Sequence, residues 1–148
     1  MTERTLIIVK PDGMQRRLAG EIISRFEKKG LKLVAAKLMR LSPSLAQKHY
    51  AVHQGKDFFD RVVEYLASEP VLVMVWEGHK VIEITRKLMG ATFGYKAEAG
   101  TIRGDYSVEF LNVIHGSDSA ESANYEIPLY FTPDEILSYQ MPDEKWLK

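Results

Sequence analysis

The chain of 148 residues contains no cysteine. That excludes disulfides and thiolate metal sites, and it fits a reducing compartment. Net charge is missing as well, because 20 basic residues balance 20 acidic ones. A general nucleic-acid binder or a polybasic membrane protein carries a broad basic footprint, so neither a nucleic acid nor a membrane is expected as a partner. Any anion site must be a local cluster. Long apolar runs are lacking too: Leu6–Val9 and Val71–Trp76 are only strand-sized, and the first ends in Lys-Pro-Asp-Gly. No signal peptide or membrane span is expected, and the location read from this is cytoplasmic. There is no G-x-x-x-x-G-K-[ST] phosphate loop, no dinucleotide fingerprint and no His-Glu-x-x-His string, nor any internal repeat or linker. The hydrophobic content of 45% suffices for one packed core, so residues 1–148 are read as one domain with 139–148 as a C-terminal tail.

The residues that are present suggest an alternation of strands and helices. Leu6–Val9 is β-branched and apolar on both faces, as expected of a central strand, and Lys10–Gly13 is read as the turn that stops it. Ala19, Ile22, Ile23 and Phe26 share one helical face, closed by Gly30. Leu31–Leu41 reads as a strand, and Ser44–Ser68 as two helices broken near Gln54–Asp57. Val71–Trp76 is a second strand apolar on both faces, followed by a helix over Lys80–Met89 with Val81, Ile84 and Leu88 inward. Gly90–Ser119 holds five glycines and no sustained period. An irregular segment of that length in a compact domain is usually functional. Tyr125–Phe131 alternates and contains Pro128, which predicts an edge strand. The sum is an α+β, ferredoxin-like βαββαβ fold with a four-stranded antiparallel sheet, helices on its faces and a long functional loop.

Several polar residues are not explained by a core. Lys10 ends a central strand, Arg86 lies late in a helix, and Thr92, Arg103, Asn112, His115 and Ser117 occupy the long loop. Arginine presents a planar fork of donors matched to phosphate. Two arginines, a lysine, a threonine and an asparagine converging on one histidine would make a polyphosphate site. Glu126, between core-facing Tyr125 and Ile127 of the expected strand, would face away from them, and if the loop folds over that face it could hold one nitrogen of His115 and leave the other with its lone pair, the alternative being an ordinary solvent-facing strand glutamate. Tyr50 and Phe58 fit either helix packing or an aromatic wall for a base. His49 and His53, four apart on an expected helix, have zinc-compatible spacing but no third ligand nearby, and His79 reads as a solvated turn residue.

Together, Lys-Pro-Asp-Gly after the first strand, His49-Tyr50, Phe58-Phe59, Met74–Gly78, Gly100–Asp105 and the string Asn-Val-Ile-His-Gly-Ser-Asp-Ser at Asn112–Ser119 make the chain resemble a nucleoside diphosphate kinase almost from end to end. The resemblance implies transfer of the terminal phosphate of a nucleoside triphosphate to a nucleoside diphosphate through a phosphohistidine at His115, with broad base specificity. It implies that Lys10, Tyr50, Arg86, Thr92, Arg103 and Asn112 hold phosphates and sugar, that Phe58 stacks on the base, and that Ser117 and Glu126 support the histidine. Mg2+ would be held mainly by the nucleotide's own phosphates, and the assembly would be a homohexamer, with a tetramer as the alternative. The chain departs from the family at Phe93-Gly94 and Ala99, where relatives often carry proline, and in a stretch before Asn112 that is one residue short, with Phe110 and Leu111 where a glycine is often found.

Overall fold

The structure, a computed structural model, describes residues 2–148. Four antiparallel strands, β1 (Glu3–Val9), β2 (Lys32–Met39), β3 (Val71–Gly78) and β4 (Ile114–Gly116), form one sheet in the order β2-β3-β1-β4. Helices α1 (Pro11–Gln15) and α2 (Ala19–Lys28) link β1 to β2. Helices α3 (Pro43–His49) and α4 (Phe59–Ala67) lie between β2 and β3, and α5 (Val81–Met89) and α6 (Ile102–Tyr106) between β3 and β4. Helix α7 (Ala120–Tyr130) closes the series. None of the described helices is long and apolar enough to cross a membrane.

The two strands expected at the centre are there, and their double-sided apolarity follows from two separate cores. Leu6 and Ile8 pack with Val34, Leu66, Val73 and Val75 on one face. Ile7 and Val9 pack with Ile22, Phe26, Met74 and Trp76 on the other. Each such side chain contributes about 1.5–3 kcal/mol on burial, so β1 is pinned on both sides and its last neighbour, Lys10, starts from a rigid base.

Three expectations are corrected. Tyr125–Phe131 is not an edge strand but lies mostly within α7. The Ser119 hydroxyl caps this helix by accepting from the Ser122 N–H at 3.0 Å, and its buried positions, Ala123, Glu126 and Tyr130, follow helical spacing. The fourth strand lies instead inside the segment read as an aperiodic loop, which also contains α6 and a 3-10 turn at Gly94–Lys96. Lys10–Gly13 is not a simple turn: Pro11 opens α1, where its fixed φ and missing N–H are harmless. The last residues run beside β2, with the Leu137 N–H donating to the Val34 carbonyl at 3.0 Å, and Trp146 is 75% exposed.

Candidate active site

His115 sits on β4, opposite Ile8 of β1. The approach to it is an unusual piece of backbone: Val113, fully buried, has φ 60°, a left-handed conformation that a β-branched residue adopts only when held. Asp12 holds it by accepting the Val113 N–H at 3.1 Å, while its other oxygen accepts the Tyr65 hydroxyl. The Val113 carbonyl in turn accepts the Lys10 N–H at 2.9 Å. A Cβ at Gly13 would stand 2.7 Å from that carbonyl, which is why the first helix needs a glycine there.

The far side of His115 is fixed by α7. Its Nε2 lies 3.0 Å from Glu126 Oε1, and the Ser117 hydroxyl donates to the same oxygen at 2.7 Å. Ser117 is itself clasped to β1, its N–H donating to the Leu6 carbonyl at 3.0 Å and its hydroxyl accepting the Leu6 N–H at 3.2 Å. An ionised carboxylate only accepts, so Nε2 is the nitrogen that carries the proton and Nδ1 holds the lone pair. Glu126 thus meets the histidine as expected, though from the inner face of a helix rather than from a strand.

Three cations gather around the backbone that flanks His115. Lys10 is 7% exposed and donates to Asn112 Oδ1 at 2.8 Å. Burial, then Arg103 and more weakly Arg86, push its amine down to about 7 against the opposing pull of Asp12. Arg103, 4% exposed, donates to the carbonyls of Ile114 at 2.6 Å and of Asn112 and Gly90 at 3.3 Å each. Burial and then Arg86 lower it to about 10. Arg86 donates to the Gly116 carbonyl at 3.3 Å. Asn112 ties in Thr92 by donating to its carbonyl at 2.9 Å, while the Thr92 side chain stays exposed. Buried positive charge so poorly compensated is a cost that a bound polyanion relieves.

An aromatic path leads from this cluster to the rim. Tyr50, pushed up to about 12 by burial and then by Glu126, meets the His49 ring edge-on at 4.9 Å. Next come His53, 6.2 Å from the Tyr50 ring, and Phe58, 5.3 Å from His53 and 38% exposed. The short stretch before Asn112 holds Phe110, whose ring lies 6.1 Å from that of Tyr65 and carries the Arg61 guanidinium 4.0 Å from its centroid. The expected pair of His49 and His53 on one helix does not form, because His49 ends α3 and His53 lies in the 3-10 turn Ala51–His53. His49 turns inward to His115 instead, and atoms of His49, His115 and Glu126 able to bind a metal lie within 4.8 Å of one another.

The donor set does not suit a resident divalent cation. Glu126 is engaged by His115 and Ser117, Asp12 by Tyr65 and Val113, and Lys10, Arg86 and Arg103 set a positive field over the whole cluster. A cation arriving already bound to phosphate oxygens meets no such penalty.

Sequence reasoning missed Asp12, Tyr65, His49 and Tyr130. Asp12 and Tyr65 are separated by 53 positions and each looks unremarkable in its own segment. His49 offered a signal in its helical spacing from the buried Ala46.

A family model described as nucleoside diphosphate kinase matches residues 3–136. The chain is 56% identical over 146 residues to a nucleoside diphosphate kinase of Carboxydothermus hydrogenoformans, covering 98% of each. Among solved structures it is similar to a halophilic nucleoside diphosphate kinase from Halobacterium salinarum in complex with CDP, at 46% identity and TM-score 0.97, over 100% of this chain and 99% of that one. It is also similar to a transition-state mimic of the Borrelia burgdorferi enzyme with bound vanadate and ADP, at 41% identity and TM-score 0.92, over 97% and 95% of the two chains. The chain belongs to the nucleoside diphosphate kinase family, enzymes that move the terminal phosphate of a nucleoside triphosphate to a nucleoside diphosphate through a phosphohistidine.

Proposed function

We propose that His115 is the histidine that carries the phosphate and that Nδ1 is the attacking atom. The observation behind this reading is the 3.0 Å contact between Nε2 and a Glu126 carboxylate that Ser117 also holds. In the first half-reaction the Nδ1 lone pair forms a bond to the terminal phosphorus, the bond from phosphorus to the bridging oxygen breaks, and its electron pair leaves on the diphosphate. The imidazole gains positive character as this happens, and Glu126 offsets it. The second half-reaction reverses the steps with a different diphosphate. Little proton transfer is needed, so the rate comes from positioning and charge neutralisation.

Lys10, Arg86, Arg103, Asn112, Thr92 and Tyr50 hold the phosphates and the sugar, and Phe58 stacks on the base. Stacking on an exposed ring tolerates every base, in keeping with broad nucleotide use. Mg2+ would be held mainly by the nucleotide's own phosphates, where it would supply part of the charge neutralisation. The 148 residues act as one domain, with 139–148 an extension along β2, in the cytoplasm where the nucleotide pool lies. The assembly is a homohexamer. The outer edge of β2 beyond Val34, where the C-terminal residues no longer bond its backbone, together with exposed Tyr95, Val108, Leu111 and Trp146, supplies the apolar and backbone surface for self-association.

The test is to incubate the protein with terminally labelled ATP and Mg2+, remove the nucleotide, and add a diphosphate of another base. Label should appear on the protein as an acid-labile, comparatively base-stable adduct and chase fully into the added diphosphate. His115→Ala should take no label while still binding nucleotide. Label that passes to water would make this a phosphohydrolase, and label mapping to Ser117 or Ser119 would move the nucleophile.

A further inference from the structure

His49 has no part in the chemistry above, yet it is 3% exposed and touches the nucleophile. Its ring meets that of His115 edge to face, with centroids 4.4 Å apart and planes at 77°. Aromatic pairs usually sit 4.5–7 Å apart, so this is contact at the short limit. His49 Nδ1 lies 2.9 Å from the Tyr130 hydroxyl, and its buried Nε2 has no hydrogen-bond partner.

The direction of the Tyr130 bond follows from chemistry. Burial holds the phenol well above its ordinary range, so it keeps its proton, and among the described residues that proton has no other acceptor. Tyr130 therefore donates to Nδ1. Burial, with His115 and Lys10 nearby, keeps the His49 imidazole neutral by pushing it well below its usual range. A neutral ring that accepts at Nδ1 carries its hydrogen on Nε2. The consequence is that His49 cannot take the proton of His115 Nε2, and Glu126 is left as the sole acceptor for it.

We infer that His49, oriented by Tyr130, is a positioning residue that locks the ring plane of His115 and so selects Nδ1 for the phosphate. To bring Nε2 to the substrate side, the His115 ring must turn about its Cβ–Cγ bond. That turn sweeps ring atoms out of plane into His49, which already stands at contact. Removing His49 opens the space for the turn and removes the wall that directs the lone pair. The inference rests on His115 being the phosphorylated residue.

The experiment reads which nitrogen is phosphorylated. Wild-type protein, His49→Ala, His49→Gln and Tyr130→Phe are labelled with ATP and Mg2+, digested under alkaline conditions, and the two phosphohistidine isomers are separated and quantified. The wild type should give phosphate on Nδ1 alone. His49→Ala should spread it over both nitrogens, with about one tenth or more on Nε2 against about one hundredth or less in the wild type, a tenfold loss of selection that corresponds to roughly 1.4 kcal/mol. His49→Gln, which fills the space and offers an amide N–H near the former Nε2, should return the phosphate to Nδ1. Tyr130→Phe keeps the volume and loses only the hydroxyl. It should show leakage between the wild type and His49→Ala, with the His49 tautomer freed in 15N spectra. Label confined to Nδ1 in His49→Ala and Tyr130→Phe, at any rate of turnover, overturns the inference, whereas absence of label from the wild type overturns the assignment of His115 itself.

Discussion

Nucleotide binding should draw a proton onto Lys10. In the free protein, burial and then Arg103 and Arg86 hold this amine at about 7, with Asp12 opposing. At pH 8 about one molecule in ten then carries the charged form. A polyphosphate beside Lys10 favours the ammonium, so the amine's pKa rises in the complex. Binding at pH 8 therefore takes up about 0.9 proton per nucleotide, and the need to protonate first costs about 1.4 kcal/mol, a tenfold loss of affinity. The sign is fixed by the direction of the shift. Affinity is full below about pH 7, where the free amine is already charged, and falls as pH rises from there toward the pKa of the complex. Calorimetric titration with ADP and Mg2+ at pH 8, in buffers of different ionisation enthalpy, gives the protons taken up as the slope of heat against that enthalpy. Lys10→Met should abolish most of the slope. No uptake by the wild type, or equal uptake by Lys10→Met, would refute the reasoning.

Arg103→Ala should lose both rate and stability, because the side chain bonds three carbonyls as well as facing the phosphate site. Leaving those acceptors buried and unpaired costs about 3 kcal/mol or more, readable from denaturant midpoints, and transfer should fall by about 10³ or more. A fully stable variant would mean the three bonds contribute nothing. Asp12→Ala removes the acceptor that holds the left-handed Val113 and should destabilise the protein by about 2 kcal/mol while slowing transfer, since His115 is two residues further on. Unchanged turnover in that variant would separate the Val113 turn from the placement of His115. Light scattering at working concentration should give six times the mass of one chain, and a monomeric mass would end the hexamer reading.

The sequence was legible where an apolar pattern marks the element. Both-face apolarity placed β1 and β3 at the centre, helical spacing located α2 and α5, and helical composition with a break near Gln54–Asp57 located the helix pair between β2 and β3. It was not legible for β4, whose three residues are too few to alternate. They are a strand only because Ile7, Ile8 and Val9, more than a hundred positions earlier, pair with them. Helix α7 was hidden for a different reason. One of its three buried positions is the charged Glu126, which breaks the apolar stripe and lets the alternation of Tyr125, Ile127, Leu129 and Phe131 dominate the pattern. Lys10, Arg86, Thr92, Arg103, Asn112 and Ser117 stood out as polar residues that no core explains, and the resemblance suggested their roles, but Asp12, Tyr65, His49 and Tyr130 act through partners that only the fold brings near.

The exchange of a strand for a helix at residues 120–130 changes what the site can do. On a strand, residues 126 and 130 would share a face but stand about 13 Å apart, too far to serve one spot. On a helix, positions four apart rise only about 6 Å and point the same way. Glu126 and Tyr130 hold that relation, and each takes a nitrogen of a different imidazole: Glu126 meets His115 Nε2 at 3.0 Å and Tyr130 meets His49 Nδ1 at 2.9 Å. One face of α7 therefore fixes the tautomer of both rings while the rings brace each other at 4.4 Å. The polar break that hid the helix in the sequence is the same residue that holds His115.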